Sequence, residues 1–125
     1  MNSNPSTVLV VEDDWLLRLI AVEILEEAGF VALEAANADE AIVMLEQRMD
    51  IEAVLADVDM PGTMNGLKLA HAVRHRWPPI KIIIVSVKTH LSDADLPSGA
   101  RFLAKPYSVP GMIGELRSLL APPSL

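Results

Sequence analysis

Four groups of polar residues each stand where an apolar run stops. Glu12-Asp13-Asp14 follows residues 7–11, Asp57-Val58-Asp59 follows residues 53–56, Ser86 ends residues 81–86, and Lys105-Pro106 follows residues 100–104. Two acidic clusters brought together repel each other unless a cation sits between them, and an all-oxygen donor set suits Mg²⁺, or Mn²⁺ in its place. Magnesium commonly completes its shell with waters and phosphate oxygens, so such a site is ready for a phosphoryl ligand. Lys105 adds a second positive charge and Ser86 a hydroxyl donor. Phosphoryl transfer needs a nucleophile in line and neutralisation of charge on the equatorial oxygens, and carboxylates serve as nucleophiles in it. Asp57 is the better nucleophile because it ends the strand expected at the centre of the sheet; Asp59 is the poorer one.

These groups act together only if the intervening elements bring them to one place. Thr7–Val11, Val31–Ala35, residues 53–56, Lys81–Ser86 and residues 100–104 read as short buried strands. Between them, residues 14–28, 38–48 and 65–77 carry helical periodicity, as does Val109–Leu120 after the last strand. Asp14 and Asn37 stand where helix N-caps belong, and Gly29 where a C-terminal glycine belongs. Apolar strands alternating with helices imply a doubly wound α/β domain: a parallel sheet, covered on both faces, joined by right-handed crossovers. In such sheets ligands bind at the carboxyl ends of the strands, where all four polar groups fall. The connection over residues 87–99 has only a weak helical signal.

The chain has 125 residues, 51% hydrophobic and 22% charged, which fits a single domain over residues 1–125 with its core at about 7–121. The absence of cysteine excludes disulfides, thiolate metal sites and a thiol nucleophile, and permits a reducing cytoplasm. No signal-peptide pattern or bilayer-length apolar run is visible, so no membrane association is expected. A net charge of -7 repels nucleic acid.

At these residues the chain resembles the receiver domains of two-component response regulators, of the stand-alone chemotaxis type. The resemblance rests on Val10-Val11-Glu12-Asp13-Asp14, Asp57-Val58-Asp59-Met60-Pro61-Gly62, Ser86 and Lys105-Pro106. The motifs are weak singly but specific in their order and in spacings of 44, 29 and 19 residues from Asp13 to Asp57 to Ser86 to Lys105. It implies a flavodoxin-like fold with five parallel strands in the order 2-1-3-4-5. It further implies that Asp57 accepts a phosphoryl group from a histidine kinase or histidine phosphotransfer protein. Asp13, Asp57 and the backbone carbonyl of Asp59 would hold Mg²⁺, with Glu12 acting through water and Lys105 pairing with the phosphoryl oxygens. Ser86 and Phe102 would form the switch, and Pro106 would follow a cis bond. Such a protein is a cytoplasmic signalling domain that assists its own phosphorylation and dephosphorylation rather than an enzyme. It would be a monomer or weak homodimer with a downstream protein partner.

Some positions depart from that pattern. Val87 replaces a small residue beside the phosphorylation pocket, and the loop Pro61-Gly62-Thr63-Met64-Asn65-Gly66 is one residue longer than usual, a form found in some proteobacterial receivers. The stretch between Ser86 and Lys105 is about three residues short and contains Asp93, Asp95, Pro97, Ser98 and Gly99, so the fourth helix is expected to be short or irregular. A chain ending at Leu125 carries no output domain and is either stand-alone or excised from something longer.

Alternatives follow from the same residues. A pseudo-receiver would keep the fold as a binding module without phosphorylation. A haloacid-dehalogenase-like phosphatase also uses an Asp-x-Asp after an apolar strand, but its nucleophilic strand usually comes first, whereas here Glu12 and Asp13 precede Asp57. Ser86 alone would be an ordinary strand-end hydroxyl, and Lys105 alone an ordinary surface lysine. His71 and His75 share a helix face but lack the further ligands a metal needs, and Trp15 and Trp77 read as helix-end packing residues.

Overall fold

A computed structural model describes residues 5–60, 65–87 and 92–121; the expectations for Pro61, Gly62, Thr63, Met64 and the tail beyond Ala121 lie outside the described residues. Strands β1 (Thr7–Val11), β2 (Val31–Ala35), β3 (Ile51–Asp57), β4 (Lys81–Ser86) and β5 (Arg101–Ala104) alternate with helices α1 (Trp15–Glu27), α2 (Ala38–Gln47) and α3 (Gly66–Arg76), and α4 (Val109–Leu120) closes the order. All pairings are parallel, and the sheet runs β2-β1-β3-β4-β5. This is the doubly wound arrangement expected from the sequence. Among the described residues between β4 and β5, the regular element is one 3₁₀ turn, Asp93–Asp95.

Because side chains alternate across a strand, each strand feeds two cores. Leu9, Val11, Val54, Ile82 and Ile84 pack under α2 and α3, with Leu45, Leu69 and Val73. Val8, Val10, Leu55, Ile83 and Val85 pack under α1 and α4, with Leu25, Met112 and Leu116. Full burial of each such aliphatic side chain contributes roughly 1.5–3 kcal/mol, so the sheet is a rigid platform for its strand ends.

Helix starts follow their caps. Asp14 accepts from the Leu16 and Leu17 N–H groups, Asn37 from Glu40, Asn65 from Lys68 and Ser108 from Gly111. Gly29 takes φ +96° just past α1, a conformation that favours glycine. Trp15 departs from expectation: it is 67% exposed at the start of α1 rather than packed. Trp77 does pack against the α2/α3 core, with the Arg76 guanidinium 4.4 Å above its ring.

The short connection before β5 is tied to α3. His71 Nε2 lies 2.9 Å from the Asp95 carbonyl oxygen, and Arg74 donates from Nε to the Ser98 carbonyl (2.7 Å) and from Nη1 to those of Pro78 and Ile80. His71 is therefore a tether rather than one of a pair of metal ligands.

Candidate functional site

Register determines which residues meet. Val11 pairs with Ala56 across β1 and β3, so the next residues, Glu12 and Asp57, emerge side by side. Asp57 pairs with Val85, and Ser86 with Ala104, so Ser86 and Lys105 each emerge one step beyond their neighbour. Backbone bonds continue past the strands, from Glu12 N to Ala35 O (3.1 Å), Val58 N to Val85 O (2.9 Å) and Lys105 N to Ser86 O (2.8 Å). The four polar groups thus share one edge of the sheet, on backbone that is still hydrogen-bonded.

Asp57 is only 6% exposed. Its Oδ2 accepts from Lys105 Nζ at 2.9 Å and its Oδ1 from the Asp59 N–H at 3.0 Å. Glu12 is 7% exposed; its Oε2 accepts from the Asp14 N–H at 3.2 Å and its Oε1 lies 3.4 Å from Lys105 Nζ. Asp13 is exposed. Glu12, Asp13 and Asp57 each place a carboxylate oxygen within 4.8 Å of the others. Ser86 is fully buried, and its hydroxyl donates to Asp59 Oδ2 at 3.2 Å. The Lys105–Pro106 bond is cis. Phe102 is half-buried against the α2/α3 core, one strand position from Leu103, which packs on the opposite face.

The electrostatics are those of an under-neutralised acid cluster. Burial, reinforced by the Asp57 charge and only partly offset by the Asp14 N–H and Lys105, pushes the Glu12 carboxyl up to about 7. Burial works against the Lys105 charge, but its hydrogen bond to Asp57 and its attraction to Asp57 and Glu12 hold the ammonium above its ordinary range. Three carboxylates against one lysine leave two negative charges when all are ionised. A hard divalent cation bound by oxygen ligands matches that deficit, so the residues present fit Mg²⁺.

Two supporting residues, Arg18 and Gly66, were not singled out from the sequence, and Asp59 was singled out there for other roles. Arg18 donates from Nη1 to the Glu12 carbonyl (2.8 Å) and from Nε to Glu34 Oε1 (3.0 Å), bracing the acidic loop against β2. Gly66 packs at the start of α3 directly on the backbone of Asp57 and Val58. The Asp59 side chain, considered only as a poorer nucleophile, holds Ser86. A glycine directly after a capping Asn was the one local signal; the other two contacts depend on register between distant segments.

A groove of about 550 Å³ opens beside Asp57 and Lys105. Leu17, Ile20 and Ile24 of α1 line it, facing Val87, Pro106, Tyr107 and Val109. Val87, the residue that departs from the family's small side chain, is 62% exposed at its wall.

Residues 8–117 match the family model for the response regulator receiver domain. The chain is 35% identical to the sensor kinase CckA of Brucella abortus over 94% of its own length, which is 13% of that protein. It is 28% identical to the response regulator receiver protein CpdR of the same organism, covering 90% of this chain and 95% of that one. A response regulator receiver protein from Sinorhizobium medicae superposes with TM-score 0.86 at 25% identity, covering 93% and 94% of the two chains. The response regulator TrrA from Thermotoga maritima, solved in complex with Mg²⁺–BeF, superposes with TM-score 0.81 at 26% identity, covering 92% and 99%. No helix among the described residues is long and apolar enough to cross a membrane. With the fold, the strand-end acids and these relatives in agreement, the chain belongs to the response regulator receiver domain family of two-component signalling systems.

Proposed function

We propose that Asp57 accepts a phosphoryl group from the phosphohistidine of a histidine kinase or histidine phosphotransfer protein, in a Mg²⁺-dependent reaction. The observation that carries this reading is the environment of Asp57: a buried carboxylate contacted by Lys105 Nζ at 2.9 Å, with Glu12 and Asp13 oxygens converging on it. Asp57 Oδ attacks phosphorus in line as the bond to the imidazole nitrogen breaks, and the imidazole leaves with the electron pair and takes up a proton. Lys105 then exchanges its contact with the carboxylate for one with a phosphoryl oxygen. Asp13, Asp57 and the Asp59 carbonyl would hold Mg²⁺, or Mn²⁺, with Glu12 reaching it through water. When bound, the cation supplies charge neutralisation at the transferring group. That TrrA was solved with Mg²⁺–BeF supports this chemistry for a domain of the same fold.

The apolar groove beside Asp57 suits a donor protein that brings its histidine to the strand ends. Residues 7–121 would act as one receiver unit, cytoplasmic and monomeric or weakly dimeric, with Ser86 and Phe102 relaying phosphorylation to a downstream protein. The chain spans only 13% and 50% of the first two curated relatives but 95% of CpdR. Any output beyond the receiver is therefore part of the proposal.

Intact mass after incubation with acetyl phosphate tests the reading. A gain of one phosphoryl group that requires Mg²⁺ and disappears in Asp57→Asn is the expected result. An unchanged mass in folded, Mg²⁺-binding protein would replace it with the pseudo-receiver. Steady release of phosphate from an added phosphomonoester would instead point to the haloacid-dehalogenase-like chemistry.

A further inference from the structure

We infer that the Asp59 carboxylate is a positioning residue that latches the Ser86 hydroxyl in the unphosphorylated state, so that phosphorylation of Asp57 must outcompete it. The inference rests on the receiver reading above and adds to it a restraint on switching.

Ser86 Oγ is fully buried at the end of β4, and it donates to Asp59 Oδ2 at 3.2 Å. A serine hydroxyl has one proton to donate. While that proton points at Asp59, it is not available to an oxygen on a phosphorylated Asp57. Asp59 is itself fastened to the nucleophile, because its N–H donates to Asp57 Oδ1 at 3.0 Å. One short segment therefore holds both the acceptor carboxylate and the group that competes for the serine. Asp59 is exposed, so its carboxylate keeps contact with solvent when Ser86 leaves, and release costs less than uncovering a buried charge. The two positions of the Ser86 proton make a two-state element whose balance the ligand at Asp57 shifts.

The strength of the latch sets the expected effect. Hydrogen bonds to a charged acceptor are stronger than neutral ones, but 3.2 Å is long for an O–H donor. Removing the acceptor is therefore expected to tighten binding of a phosphoryl mimic by about three- to tenfold, the range of an ordinary hydrogen bond and below that of a short charge-assisted one.

The test is the dissociation constant for beryllofluoride at saturating Mg²⁺ in wild type, Asp59→Asn, Asp59→Ala, Ser86→Ala and the double variants, each checked for a wild-type melting profile. Expected are tighter binding in Asp59→Ala, a smaller gain in Asp59→Asn, which keeps a neutral acceptor, and no further gain from either in the Ser86→Ala background. An equal gain with and without Ser86 would overturn the latch and leave simple charge repulsion by Asp59. Unchanged or weaker binding in Asp59→Ala would overturn it as well. If wild type and Asp57→Asn bind beryllofluoride equally, or neither binds, the receiver reading itself fails, an outcome distinct from both.

Discussion

Replacing Gly66 by alanine puts a methyl group where the protein has none to spare. A Cβ built on Gly66 lies 2.6 Å from the Asp57 carbonyl carbon and 2.9 Å from the Val58 Cα, and closer still to the Asp57 carbonyl oxygen. These are backbone atoms of the segment that carries Asp57, still hydrogen-bonded to β4 through Val58 N, so they cannot swing aside as a side-chain tip would. The start of α3 must back away from β3. Overpacking of this kind costs about 1–3 kcal/mol, and the backbone identity of the neighbours argues for the upper half. Against it stands alanine's helix preference, at most ~1 kcal/mol and smaller in the first turn. A net loss of roughly 1–2 kcal/mol corresponds to a fall of about 3–10 °C in melting temperature for a domain of this size. Gly114 in α4 is the control, because a Cβ there meets nothing within 4 Å; Gly114→Ala should hold or raise the melting temperature. Calorimetry on the two variants, with Mg²⁺ titration of each, reads both the stability and the displacement of Asp57. Gly66→Ala as stable as Gly114→Ala, with Mg²⁺ affinity unchanged, would refute the close-packing argument.

Other outcomes follow from neighbouring features. In metal-free protein, Glu12 should make stability fall as pH rises: its carboxyl titrates near 7 when folded and near 4.5 when unfolded, so the native state holds the extra proton between those values. That contribution is fully present below about pH 4.5 and lost through pH 7. It amounts to about 3 kcal/mol at most, and less once solvent screening of this partly buried group is counted, and Glu12→Gln should remove that slope and be the more stable protein at pH 8; denaturant unfolding at several pH values with chelator reads it, and equal slopes would contradict it. Removing Arg74 strips the donors from the Ser98, Pro78 and Ile80 carbonyls. Arg74→Ala should cost about 1–2 kcal/mol and accelerate amide exchange at Asp95 and Ala100, with Arg74→Lys recovering only part because an ammonium lacks the guanidinium fork. Unchanged exchange at those two amides would show that the tether does not hold the connection.

Much of the framework was readable because it is local. The apolar runs at β1, β2 and β4 and the periodicity of α4 marked their elements to the residue, and Asp14 and Asn37 marked two helix starts. β3 begins earlier than its apolar run because exposed Glu52 interrupts the pattern, and it takes in Asp57 at its end. α1 shows where pattern reading fails: Trp15, Leu16, Leu17, Leu19 and Ile20 are all exposed, while Ala21, Val22 and Leu25 are buried, so apolar character did not reveal its inner face. The strand-end acids, Ser86 and Lys105 were visible as a set since topology alone sends them to one edge. The bonds from Arg18 to the Glu12 carbonyl, from Arg74 to Ser98 and from Ser86 to Asp59 were not, because each depends on the register and rotamer of segments that only the fold brings together. The contact beneath Gly66 is of the same kind.

The most direct test of the central claim is to locate the acyl phosphate chemically. Protein treated with acetyl phosphate and Mg²⁺ is reduced with borohydride, which converts an aspartyl phosphate to homoserine, and the peptides are read by mass spectrometry. Conversion at position 57 alone, absent without Mg²⁺ or phosphodonor, is the result this account requires. Conversion at Asp13 or Asp59 instead, or none at all in protein shown to be folded and to bind Mg²⁺, would contradict it.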